Sequence, residues 1–153
     1  MIPVAKIRTF KSYEELKNKH HEEFNQFPLG AAFSNKQFEE MMTKWGLDPE
    51  KDKDKIIHIG AGAFIRKSDL NEFNAIMKRF KEEEDLFKKS DDNLVSMFRY
   101  ELSNHEYICS HDPEDTLEAC GFTLEEYEKD SRLKALFEKA KRLYFRDMAA
   151  LGY

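Results

Sequence analysis

The stretch IIHIGAGAFIRK, residues 56–67, constrains the fold more than any other part of the chain. β-Branched and aromatic residues flank Gly60-Ala61-Gly62, the composition of a β-hairpin whose tight bend needs the positive φ angles that glycine adopts without steric cost. The same glycines invite comparison with a phosphate cradle, and their surroundings argue against it. A dinucleotide-binding fingerprint would need a third glycine near position 65, where Ile65 stands, followed at once by a helix. A P-loop would need Gly-Lys-Ser/Thr, which is absent. The segment therefore reads as two antiparallel strands, and LGAAF at 29–33 is short enough to be another.

The remainder reads as helix. Ser12 with Glu15 forms a capping box ahead of Tyr13, Leu16, His20, Phe24 and Phe27, which recur at helical spacing to about Gln26 before Pro28. Ser34 with Gln37 opens a second helix carrying Phe38, Met41, Met42 and Trp45 and ended by Gly46. Ser68 or Asp69 caps a third, with Leu70, Phe73, Ile76, Met77 and Phe80 in one stripe and the charged run KEEEDLFKK at its solvated end. A helix from Asp92 carries Leu94, Val95, Met97, Phe98 and Leu102 toward Asn104. Asp112-Pro113 starts a short helix closed by Gly121, Thr123 with Glu126 opens another, and a long C-terminal helix bears Leu133, Leu136, Phe137, Ala140, Leu143 and Tyr144. The prediction is an α+β fold: a single, mostly helical domain over residues 1–153, with a small antiparallel sheet built on the hairpin and residues 1–10 loosely ordered.

Composition narrows the function classes. A chain of 153 residues can bury a core without disulfides or metals, and 13% aromatic content argues against intrinsic disorder. The net charge of -5 argues against a generic nucleic-acid binder, which displaces counterions with a net basic face, but leaves room for a local basic patch. No run approaches the roughly 18 apolar residues of a membrane span, and the N-terminus has no apolar signal core, so a cytoplasmic location without membrane contact is expected. Cys109 and Cys120 read as reduced thiols.

Imidazoles and thiols at His105, Cys109, His111 and Cys120 are the residue types that structural zinc uses. Their spacing makes neither a Cys-x-x-Cys nor a His-x3-His knuckle, and His105-Glu106-Tyr107-Ile108-Cys109 lacks the second histidine of a metalloprotease helix, so no metal is expected. His20 falls on an apolar stripe, where a histidine with one satisfied nitrogen is the plainer reading than a general base. Glu14-Glu15, Glu22-Glu23 and Glu39-Glu40 are adjacent on helices, so their side chains diverge. No catalytic signature is complete, and neither an enzyme nor a cofactor is indicated.

Two features stand out. Asn35-Lys36 and Arg66-Lys67-Ser68 lie at expected helix N-termini, where free N–H groups favour an anion, although ordinary capping accounts for them too. Residues 112–130, DPEDTLEACGFTLEEYEKD, hold eight acidic residues and one basic. Such a face repels nucleic acid or imitates its charge toward a basic protein. Glu114, Asp115, Glu118, Glu125, Glu126 and Glu128 are the expected partner-binding residues, with Phe122 and Tyr127 as apolar anchors. A solvated acidic surface with no partner is the plainer alternative.

The blocks PLGAAFSNKQFEE (28–40), IIHIGAGAFIRKSD (56–69) and YELSNHEYICSHDPEDTLEACGFTLEEYEKD (100–130) together resemble an uncharacterised family of small proteins carried by phages and conjugative elements of gut Firmicutes and related bacteria. The likeness covers about residues 13–145. It implies an accessory protein of mobile DNA in a bacterial host cell, working as a non-catalytic inhibitor of a defence nuclease of the anti-CRISPR or antirestriction type. An enzyme or binder of an anionic small molecule at Arg66–Ser68, and an adaptor in the element's replication or transfer machinery, stand as alternatives.

Overall fold

The computed structural model of the protein describes residues 6–153. Part of the lead-in expected over residues 1–10 lies outside the described residues; residues 6–10 take no regular secondary structure. The elements are α1 (Tyr13–Gln26), β1 (Gly30–Ala31), α2 (Asn35–Lys44), β2 (Ile56–Gly60), β3 (Ala63–Arg66), α3 (Leu70–Phe87), α4 (Asp91–Asn104), α5 (Tyr107–Ser110), α6 (Glu114–Ala119), α7 (Leu124–Lys129) and α8 (Ser131–Ala150). The fold is α+β, mostly helical, with one three-stranded antiparallel sheet in the order β1-β3-β2. Contacts gather the chain into two compact units, one holding residues 17–82 with the segment up to residue 8, the other residues 9–16 with 83–153.

In the first unit the hairpin forms where its glycines require it. Gly60, Ala61 and Gly62 all have positive φ, at 105°, 50° and 73°, and the register slips between His58 and Gly60 as a bulge. The strand expected over 29–33 shortens to Gly30–Ala31, paired with Phe64 and Ala63. Phe33 leaves the sheet and lies against Gly62, so closely that a Cβ there would overlap its ring. Ser34 caps α2 through the Gln37 N–H as expected, but the Gln37 side chain accepts from the Phe33 N–H at 2.8 Å rather than from Ser34. Phe27, Met41, Met42, Ile65 and Phe80 are buried, and His20 stacks on Phe80 with centroids 4.1 Å apart, as a core-border histidine. Arg8 and Arg79 both pair with Glu23. Burial pushes the Glu23 carboxyl up, and the two guanidinium groups outweigh it and hold the group below the usual carboxylate range.

α4 is the centre of the second unit. Leu94, Val95, Met97, Phe98 and Leu102 form its buried stripe and meet Leu133, Phe137, Ala140 and Tyr144 of α8 and Leu117 of α6, so the periodicity read from the sequence selects the observed core. Phe98 and Phe137 cross edge to face at 5.2 Å. Arg132 closes the corner between α3 and α4: it donates to Asp91 at 2.8 Å and to the Lys88 carbonyl at 3.0 Å. Two local expectations are corrected. The third helix does not begin at a Ser68 or Asp69 cap; residues 67–69 form a 3-10 turn that runs into Leu70. Nor is KEEEDLFKK a wholly solvated run, because α3 continues to Phe87 and both Phe87 and Glu83 are buried.

Two outcomes test this packing. Phe98→Ala removes a fully buried ring and should cost about 3–5 kcal/mol in denaturant titration. Gly62→Ala combines a strained φ with the overlap on Phe33 and should lower the melting temperature, whereas Gly46→Ala, strained but with open space around it, should lower it less.

Candidate functional site

The second unit buries a carboxylate in the core stripe of α4. Glu101 occupies the position one turn after Phe98 and is 1% exposed. Water is absent there, so its charge has to be met by donors of the protein, and three converge on it. The Tyr13 hydroxyl donates at 2.7 Å, the Asn104 amide at 3.2 Å, and His105 Nε2 lies 3.2 Å away. Tyr13 is itself buried, and burial first, then the hydrogen bond to Glu101, pushes its hydroxyl far above the usual phenol range. Asn104 and the partly exposed His105 form the outer rim of the cluster. A carboxylate that orients an imidazole is one half of an acid/base pair, and the same arrangement equally serves to hold the C-terminus of α4 in place.

The chain leaves this rim under local strain. Glu106 and His111, at φ 51° and 53°, are non-glycine residues in the left-handed region, and they bracket the single turn of α5. Tyr107 of that turn packs into the core, and the Ile108 N–H donates to the Tyr144 hydroxyl at 2.8 Å.

The four residues weighed for zinc are not brought together as a ligand set. His105 engages Glu101, His111 lies edge-on to Tyr107, Cys120 is buried in the core and Cys109 is exposed. Among the described residues no three His, Cys, Asp or Glu side chains are placed to hold a metal. At the expected anion site, Arg66 donates to Asp69 at 2.8 Å and lies over the Trp45 ring, so its charge is already met; Lys67 and Ser68 form the 3-10 turn, and Asn35 and Lys36 open α2 in the exposed state.

The acidic segment folds as α6 and α7. Glu114, Asp115, Glu118, Glu125, Glu126 and Glu128 are all exposed. They are not equivalent. Glu126 completes the capping box with Thr123, and Glu125 pairs with Lys129 at 2.7 Å. Glu114, Asp115, Glu118 and Glu128 have no charge partner among the described residues, while Asp112 and Asp130 cap the backbone of α6 and α8. The aromatic pair turns inward: Phe122 packs on Phe98 with Lys88 over its ring, and Tyr127 packs edge-on to Phe137. Leu124, 38% exposed, is the large apolar side chain that α7 presents outward.

Sequence reasoning missed the Tyr13–Glu101–His105 cluster, although a signal was present: Glu101 falls at the stripe spacing of Leu94 and Phe98, where a solvated glutamate has no place. Tyr13→Phe removes a hydrogen bond to a charged acceptor and should cost about 1.5–3 kcal/mol below pH 10. The Tyr13 hydroxyl is raised on folding, so its contribution is complete below the ordinary phenol value of 10.0 and is lost as pH rises beyond it. Alkaline unfolding followed by tyrosinate absorbance should therefore begin later and rise less steeply in Tyr13→Phe.

Residues 12–143 match the model of a family described as Family of unknown function (DUF7659). Neither a curated protein nor a solved structure matches the chain.

Proposed function

The chain belongs to the DUF7659 family of unknown function, and we propose that it is a non-catalytic protein of mobile DNA that binds another protein through the acidic surface of α6 and α7. The observation that carries this reading is the set of four exposed carboxylates, Glu114, Asp115, Glu118 and Glu128, left without partners beside an outward Leu124. A surface of that kind is complementary to a basic, nucleic-acid-binding face. In the cytoplasm of a bacterial host a defence nuclease presents such a face, and covering it would inhibit the enzyme without any chemistry. No described helix is long and apolar enough to cross a membrane, which agrees with work in that compartment.

Charges on the rim of an interface chiefly set the rate of encounter, and apolar contacts hold the complex. The inward packing of Phe122 and Tyr127 leaves Leu124 as the better anchor. Glu125 and Glu126 are poor sites for a test, because reversing them breaks an ion pair and a helix cap. The informative variant is Glu114→Lys/Glu118→Lys/Glu128→Lys. Tagged protein should capture a basic partner from host extract at low salt, with association slowing as salt rises. The triple variant, with an unchanged circular dichroism spectrum, should bind that partner at least tenfold more weakly. Equal binding by parent and variant would show that the acidic surface is only solvated.

A further inference from the structure

The outward side of α8 carries a second charged surface, opposite in sign. α8 holds six basic and two acidic residues. Both acids are engaged, Glu138 by Lys141 at 3.1 Å and Asp147 by Arg99 at 2.6 Å. The Arg99 hydrogen bond holds the Asp147 carboxyl below its usual range. Arg132 is taken by Asp91 and by the last carbonyls of α3. What remains is Lys134, Lys139, Arg142 and Arg146, all exposed and without an ion-pair partner among the described residues. At about 100° per residue they fall within an arc of roughly 140°, opposite the buried stripe of Leu133, Phe137, Ala140 and Tyr144, and they span about 18 Å of helix.

We propose that this face of α8 binds the phosphate backbone of a nucleic-acid duplex. Four cations on a rigid rod match a polyanion whose charges recur every 1.7 Å or so along its axis, and release of its counterions supplies the driving force. A membrane surface fits less well, because the apolar stripe of α8 is committed to the core and Phe145 is only 38% exposed, packed on Tyr107 and Tyr144, so nothing is left to insert. No base-reading contact is involved. The net charge of -5 keeps the interaction weak and confines it to this side of the unit. This surface and its residues are separate from those of α6 and α7, so either reading can fail alone.

The test is fluorescence anisotropy of a labelled DNA duplex titrated with the full chain at several salt concentrations, with sedimentation of the protein alone and binding to phosphatidylserine vesicles in parallel. Expected is a logarithmic salt slope approaching about -3.6 for four phosphate contacts. Lys134→Gln/Arg142→Gln/Arg146→Gln should weaken binding at low salt at least tenfold and reduce the slope to about -1, with its melting temperature unchanged. Glu114→Lys/Glu118→Lys/Glu128→Lys should bind the duplex no more weakly than the parent. The proposal is overturned by no duplex binding at low salt, by an unchanged slope in the glutamine variant, by tighter binding to vesicles than to DNA, or by self-association at low salt that the glutamine variant abolishes, which would assign the face to a second copy of the chain.

Discussion

A carboxylate in an apolar core costs several kcal/mol unless donors surround it, and the second unit is arranged around that requirement at Glu101. The demand is met from three directions. Tyr13 brings the opening turn of α1 onto α4, Asn104 closes the last turn of α4, and His105 stands where the chain leaves the helix. The Thr116 hydroxyl lies 3.4 Å from the Glu101 carbonyl, so α6 too meets α4 at this point. An alanine or leucine here would pack without help, but it would not specify which segment lies where. A buried charge does, since a misplaced Tyr13 would leave the carboxylate bare.

The same logic separates the surface charges into two groups. Many are committed to local structure: Glu126 and Asp130 cap helices, Asp48 and Asp52 hold the turn after α2, and Arg132 and Lys88 cover carbonyls at the ends of α3 and α6. Their side chains are fixed by the fold and would be costly to recruit for anything else. The uncommitted charges are not scattered evenly. In the second unit they gather by sign, carboxylates on α6 and α7, cations on the outer side of α8. Segregation of free charge has an electrostatic cost in the isolated protein, and it generates a field that orients whatever approaches.

The fold was legible where one residue type answers one local need. Gly60 and Gly62 announce the hairpin because its bend lies at positive φ, and Ser34 and Thr123 announce helix starts because their hydroxyls accept from the N–H three residues on. The stripes of α4 and α8 were legible for the same reason, each needing only its own period. Illegible features depended on a distant residue. Nothing near Glu101 in the sequence says that Tyr13, 88 positions away, will neutralise the cost of burying it. Phe122 and Tyr127 misled in the opposite sense: aromatics in an acidic segment suggest anchors for a partner, while Phe98 and Phe137 claim them for the core.

This contrast bears on how the acidic segment is to be understood. Composition alone counts eight acids over residues 112–130 as one surface. Geometry divides them by task, and the four that build the segment, Asp112, Glu125, Glu126 and Asp130, would be required in any protein with this pair of short helices. Glu114, Asp115, Glu118 and Glu128 contribute nothing comparable to folding. An exposed carboxylate without a partner is close to neutral for stability, so the fold supplies no reason for four of them to share one surface. A reason has to come from outside the chain, from something basic that meets it. The four free cations of α8 pose the same question with the sign reversed, and a protein that presents both surfaces on one small unit is suited to standing between a basic partner and the polyanion that partner holds.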